Sequence, residues 1–129
     1  MATGFPAATG DVLSAAMYNG LVTFTVNAQT GTTYTTQLSD SYQVLVTMSN
    51  ASANALKIPT NASVAHPIGT VITILNIGAG VCTISAVTSG TTTILSAGSV
   101  AAQPTLAQYK SAACIKTGTD TWYVVGGIA

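Results

Sequence analysis

The residues able to do acid–base or nucleophilic chemistry in this chain are few enough to weigh one by one. The carboxylates are Asp11, Asp40 and Asp120, and there is no Glu. Glycoside hydrolysis needs two carboxylates flanking one bond. Each Asp here sits where a helix cap or turn explains it: Asp11 at a helix start, Asp40 before Ser41-Tyr42, Asp120 between two strand-like runs. A hydrolytic triad needs a base, and His66 is the sole histidine. His66-Pro67 reads as an extended loop dipeptide, so this imidazole is expected to be structural or exposed. The three lysines, Lys57, Lys110 and Lys116, are dispersed and form no basic patch. Thr88-Ser-Gly-Thr-Thr-Thr93 has no adjacent Lys or helix start, and reads as a turn rather than a phosphate cradle. No catalytic, cofactor-binding or metal-binding residue is assigned, and no cofactor is expected.

Cys82 and Cys114 both lie in strand-like runs, with no CxxC and no neighbouring His. They read as buried thiols acting as small hydrophobes, with a disulfide as the lesser alternative. The aromatics carry one more possibility. Tyr18, Tyr34, Tyr42, Tyr109, Trp122 and Tyr123 could line a sugar-binding face. The preferred reading is that Trp122-Tyr123 turns one ring to the core and the other to an interface.

The elements that must hold these residues are mostly strands. Residues 1–10 read as an extended arm. Asp11–Gly20 is the one helix expected, capped by Asp11, striped by Leu13, Ala16 and Met17, and stopped at Asn19-Gly20. From Leu21 onward Thr, Val and Ile dominate, as a pleated surface requires. Strands are expected over Leu21–Val26, Thr33–Leu38, Val44–Met48 (Val44, Val46 and Met48 inward), Ala55–Ile58 up to Pro59, and Thr91–Leu95. Thr70–Ile77 and Val81–Ala86 are expected to form a hairpin across Gly78-Ala-Gly80, with Val71–Leu75 covered on both faces. Ser111–Thr117 and Thr121–Val125 form a second hairpin across Gly118-Thr-Asp120. No period of roughly 20–50 residues is evident, which argues against a solenoid. The expected fold is all-β: a single β-sandwich or jelly-roll-like domain over 21–129, preceded by an arm and short helix over 1–20 that serve as an attachment segment.

Composition narrows the setting. Only 5% of the 129 residues are charged, against about 25% in an ordinary domain. Arg is absent and the formal net charge is zero, so nothing grips nucleic acid or an anionic membrane. Hydrophobic residues make up 48% and the mean hydropathy is +0.52. No run of about 18 apolar residues occurs, which excludes a spanning helix. A chain this poor in charge lacks the repulsion that disperses monomers, so an assembly is expected, as a closed homo-oligomer. The N-terminus lacks a basic start and an apolar core of a signal peptide, so the sequons at Asn50 and Asn61 are expected to be chance matches.

Several stretches resemble a small β-rich module of tailed-bacteriophage virion proteins. They are Tyr34-Thr-Thr-Gln-Leu-Ser-Asp40, Val46-Thr-Met-Ser-Asn-Ala51 with Ile58-Pro59, Pro67-Ile-Gly-Thr-Val-Ile72, and Ile77-Gly-Ala-Gly80 with Thr83-Ile84. The C-terminal part adds Ser96-Ala-Gly98, Gln108-Tyr109, Ile115-Lys-Thr-Gly-Thr-Asp-Thr-Trp122 and Val125-Gly126. Gly10-Asp11-Val12-Leu13-Ser14-Ala15-Ala16, with Asn19, is similar to phage anchoring segments. The resemblance spans residues 10–126, and its motifs are turn-and-strand signatures that hold no catalytic residue. It implies a head-decoration or tail-fibre and appendage context, without the shaft and tip of a long fibre. The expectation is a capsid decoration (cement) protein of the virion, made in the host cytoplasm. It would be a homotrimer clamping the major capsid protein or another virion protein, with no nucleic-acid or membrane partner. Phe5, Pro6, Leu13, Met17, Tyr18, Trp122 and Tyr123 are the attachment and interface candidates. The alternatives are a receptor-binding module of a tail fibre or appendage, or a small tail or neck subunit.

Overall fold

The computed structural model describes residues 14–16, 19, 23–96 and 103–128. Most of the 1–20 segment therefore lies outside the described residues; of the expected helix, Ala15, Ala16 and Asn19 are helical and exposed. The rest is an all-β structure of ten strands in two sheets.

The strands are β1 Thr25–Gln29, β2 Thr33–Thr35, β3 Val44–Met48, β4 Asn54–Ile58 and β5 Val71–Asn76, then β6 Cys82–Ala86, β7 Thr93–Ser96, β8 Thr105–Leu106, β9 Ser111–Gly118 and β10 Thr121–Gly126. β2 stops at Thr35 where the sequence suggested strand to Leu38, and a short 3-10 turn, Leu38–Ser41, follows before β3. A six-stranded sheet runs β1-β3-β5-β9-β10-β7, and a four-stranded sheet runs β2-β4-β6-β8.

Successive strands alternate between the sheets. β1, β3 and β5 stack in parallel in one sheet; β2, β4 and β6 stack in parallel in the other. The chain therefore winds through three coils, each made of one strand from each sheet, before antiparallel β9 and β8 close the two ladders. This corrects the expectation of no solenoid-like repeat. The coils are real, but their return loops differ in length, so no fixed period survives in the sequence. Five of the eight ladders are parallel, whereas a jelly roll is built from antiparallel strands.

The expected hairpin across Gly78-Ala79-Gly80 is likewise corrected. β5 and β6 belong to different sheets, and these residues form the corner between them. The corner lies directly on that of the preceding coil: Gly80 N–H donates to Asn50 O (2.9 Å) and Gly78 N–H to Met48 O (3.2 Å). A Cβ on Gly78 would meet Asn50 N at 2.2 Å, and one on Gly80 would meet Ser52 O at 1.9 Å. Glycine is needed here for close backbone approach, not for a hairpin turn. Asn50 continues the stack, donating Nδ2 to Thr30 O (2.8 Å) in the corner below.

One apolar core lies between the sheets. Val46, Met48, Ile72, Ile74, Cys114 and Val124 enter from the six-stranded side, and Leu56, Ile58, Cys82, Ile84 and Leu106 from the other. Val46 and Met48 point inward as expected. Cys82 and Cys114 are buried free thiols, and burial pushes them up to about 11 and about 12 respectively. β5 does not have two covered faces: Ile72, Ile74 and Asn76 are buried, while Val71 and Thr73 are exposed. The β9–β10 hairpin forms as expected.

Candidate functional site

Among the described residues, Asp40, His66, Lys116 and Asp120 act on one another through a chain of contacts and charges. Asp40, read as a turn residue, is buried. Its carboxylate accepts from Asn27 Nδ2 (2.9 Å), the Tyr34 hydroxyl (2.5 Å) and Gln37 N–H (2.8 Å). These donors come from β1, β2 and the residue that caps the 3-10 turn, so the carboxylate ties the first coil together. Burial, with Asp40 alongside, pushes the Tyr34 phenol up to about 12.

His66 lies on the return loop between β4 and β5 and is buried. Its Nε2 is hydrogen-bonded to Thr36 Oγ1 (3.0 Å) and its Nδ1 to Ser41 Oγ. Its ring meets Trp122 edge-on at 5.5 Å between centroids. Burial lowers its pKa, Lys116 lowers it further, and Asp40 opposes the shift. Ser41, His66 and Asp40 thus share a neighbourhood without forming a triad. The carboxylate is committed to three other donors, and both imidazole nitrogens are occupied by hydroxyls. The loop histidine, expected to be structural or exposed, is buried and engaged at both nitrogens.

Lys116, one of the three dispersed lysines, is the residue that sequence reasoning missed. It lies on β9 and is only 2% exposed. Its Nζ donates to His66 O and to Asn61 Oδ1, both at 2.7 Å, and lies 5.9 Å from the Trp122 ring centroid. Burial lowers its pKa, with Asp120 opposing. Asp120 Oδ1 accepts from Asn61 N–H (2.8 Å) and Thr92 Oγ1 (3.3 Å). A strand alternation that puts Lys116 in register with Trp122, on the inward face of β9, was the available signal. Among the described residues no three His, Cys, Asp or Glu side chains gather as a metal-ligating group.

The second feature is a surface. On the six-stranded sheet the outward residues run in rows across the strands. One row is Val71, Ile115, Tyr123 and Leu95; another is Val26, Leu45, Thr73, Ala113 and Val125. Val71, Tyr123 and Val125 are 49%, 44% and 47% exposed. Among the described residues this outward face carries no charged side chain. The outward face of the four-stranded sheet is different: it presents Thr35, Lys57, Thr83 and Thr105.

Of the expected attachment residues, Phe5, Pro6, Leu13, Met17 and Tyr18 lie outside the described residues. Trp122 is 1% exposed and belongs to the core, so it cannot make an interface contact; this corrects its place among the interface candidates. Tyr123 faces the other way, onto the apolar surface, as the alternation of the Trp-Tyr pair required. No helix among the described residues is long and apolar enough to cross a membrane, which says nothing of strands. No family model, no curated protein and no solved structure matches the chain.

Proposed function

We propose that this chain is a non-enzymatic structural subunit of a bacteriophage particle, working as a homo-oligomer with the outward face of its six-stranded sheet buried against neighbouring subunits. The observation that carries the reading is the outward face of the six-stranded sheet, where Val71, Tyr123 and Val125 stand exposed and no charged side chain occurs among the described residues. Apolar surface withdrawn from water stabilises contact by about 25 cal/mol per Å². A chain with six charges has little else with which to hold a partner. The non-enzymatic reading is supported by the commitment of Asp40 and His66 to internal hydrogen bonds.

The phage setting rests on the resemblance of residues 10–126 to tailed-phage virion modules. Within it, capsid decoration is preferred: a trimer clamping major capsid subunits, with residues 1–20 as the attachment segment. The shared core supports treating the two sheets as layers of a β-sandwich, although their parallel coils set it apart from a jelly roll. A receptor-binding module of a tail fibre or appendage is the second reading, favoured by the exposed Tyr42, Tyr109 and Tyr123. Quantifying this chain in purified particles tests the choice. Hundreds of copies per particle are expected for decoration, about a dozen or fewer for a tail or neck component, and none overturns the virion assignment.

A further inference from the structure

We propose that Lys116 and Asn61 are the two halves of an intramolecular isopeptide cross-link that the folded chain forms on itself, with Asp120 as the group that carries the proton. Three features bring the reactants together. Lys116 Nζ lies 2.7 Å from Asn61 Oδ1, so the amine is against the side-chain amide it would attack. The lysine is almost wholly buried, and both acceptors of its Nζ, Asn61 Oδ1 and His66 O, are neutral oxygens. Asp120 is bound to the backbone of Asn61 itself, through Oδ1 and the Asn61 N–H at 2.8 Å, and its charge acts on Lys116.

Each feature answers a requirement of the chemistry. An amine attacks only when uncharged, and a desolvated lysine gives up its proton more readily than an exposed one. Burial lowers the pKa of Lys116 in this way. Proximity supplies the rest, because two groups held in contact by a fold react as though at very high concentration. The holding elements are rigid. Lys116 is fixed in β9 between β5 and β10, and Asn61 is fixed by Asp120 at the β9–β10 turn. Trp122, the β10 residue in register with Lys116, flanks the site.

The reaction balances without an external reagent. Asp120 stands beyond ion-pair distance of Nζ, so the Lys116 ammonium passes one proton to its carboxylate through an intervening water. The Nζ lone pair forms a C–N bond to Asn61 Cγ, and the Cγ–Nδ2 bond breaks. A second proton moves from Nζ to the departing nitrogen, which leaves as ammonia and takes up the proton held by Asp120. Nothing is oxidised or reduced. The product is an amide joining the β4–β5 return loop to β9, and Asp120 is regenerated.

Intact-mass measurement of the full chain under denaturing conditions, after allowance for removal of Met1, tests the proposal. The expected result is a mass lower than that of the sequence by one ammonia, with a single branched peptide joining the segments that contain Asn61 and Lys116. The loss is expected to vanish in Lys116→Arg, Asn61→Ala and Asp120→Asn. The full sequence mass in a wild-type chain shown to be folded by the near-ultraviolet signal of Trp122 overturns the proposal. So does an ammonia loss that persists in Lys116→Arg, which would mark cyclisation of an asparagine alone. The wild-type measurement decides the matter even where a variant fails to fold.

Discussion

His66 and the buried phenol and thiols set opposite limits on the pH range of the fold. His66 has a folded-state pKa below its ordinary 6.5, with burial as the main cause and Lys116 next. A depressed pKa contributes stability that is present above 6.5 and lost as pH falls through the folded value. Tyr34, Cys82 and Cys114 are displaced upward, to about 12, about 11 and about 12. For these, stability is present below the unfolded values, 9.0 for the thiols and 10.0 for the phenol, and is lost as pH rises through the folded ones. Urea midpoints measured across pH are therefore expected to fall below 6.5 and to fall above 9.0, where the three raised groups outnumber Lys116, whose lowered pKa acts in the opposite sense. A midpoint that stays level from pH 9 to 12 would refute the alkaline half. The roles of His66, Asp40 and Lys116 were only partly legible in the sequence. Trp122 and Tyr123 could be assigned to opposite faces because alternation is local. Asp40 takes Gln37 N–H through a local capping box, whereas the partners of Lys116 lie far along the chain in the return loop, where no local pattern encodes them.

At the level of elements, the strands were readable and their partners were not. β3, β4, β5, β9 and β10 fall where apolar residues recur at alternate positions, because that alternation is the physical requirement for a pleated surface with one buried side. Pairing is decided elsewhere. A glycine-bearing link can reverse a strand within one sheet or turn it into a second sheet, and its own residues do not distinguish the two. Here the deciding contact is with the corner one coil earlier. Gly78→Ala and Gly80→Ala would drive a Cβ into the backbone of Asn50 and Ser52, which no rotamer change can relieve. Each is expected to destabilise by about 3 kcal/mol or more, at or beyond the upper end of ordinary overpacking. Gly31→Ala is the control in the corner of the first coil. Its Cβ would sit 3.9 Å from Thr33 O, so a change within about 0.5 kcal/mol is expected. Equal urea midpoints for all three variants would refute the stacked-corner account.

For the whole molecule, the central fact is that its two outer faces obey different rules. The four-stranded sheet carries Thr35, Thr83, Thr105 and Lys57 outward, each partly buried. The six-stranded sheet turns Val71, Tyr123 and Val125 outward with no charge among them. Under the proposed assembly, the exposed apolar side chains of the six-stranded sheet are the contact surface between subunits. Stable interfaces typically bury about 800 Å² per partner, an area that a six-stranded sheet can offer from one side. A lysine placed in that interface must lose its hydration without gaining a partner, which costs several kcal/mol per buried ion. The double variant Val71→Lys, Val125→Lys is therefore expected to sediment as a monomer at concentrations where the wild-type chain is an oligomer. Both positions are about half exposed within a single subunit, so the subunit fold should survive the change. Thr83→Lys, on the outward face of the other sheet, is expected to leave the sedimentation coefficient unchanged. A wild-type chain that sediments as a monomer at high concentration would remove the reason for the apolar face, and the assembly reading would fall with it.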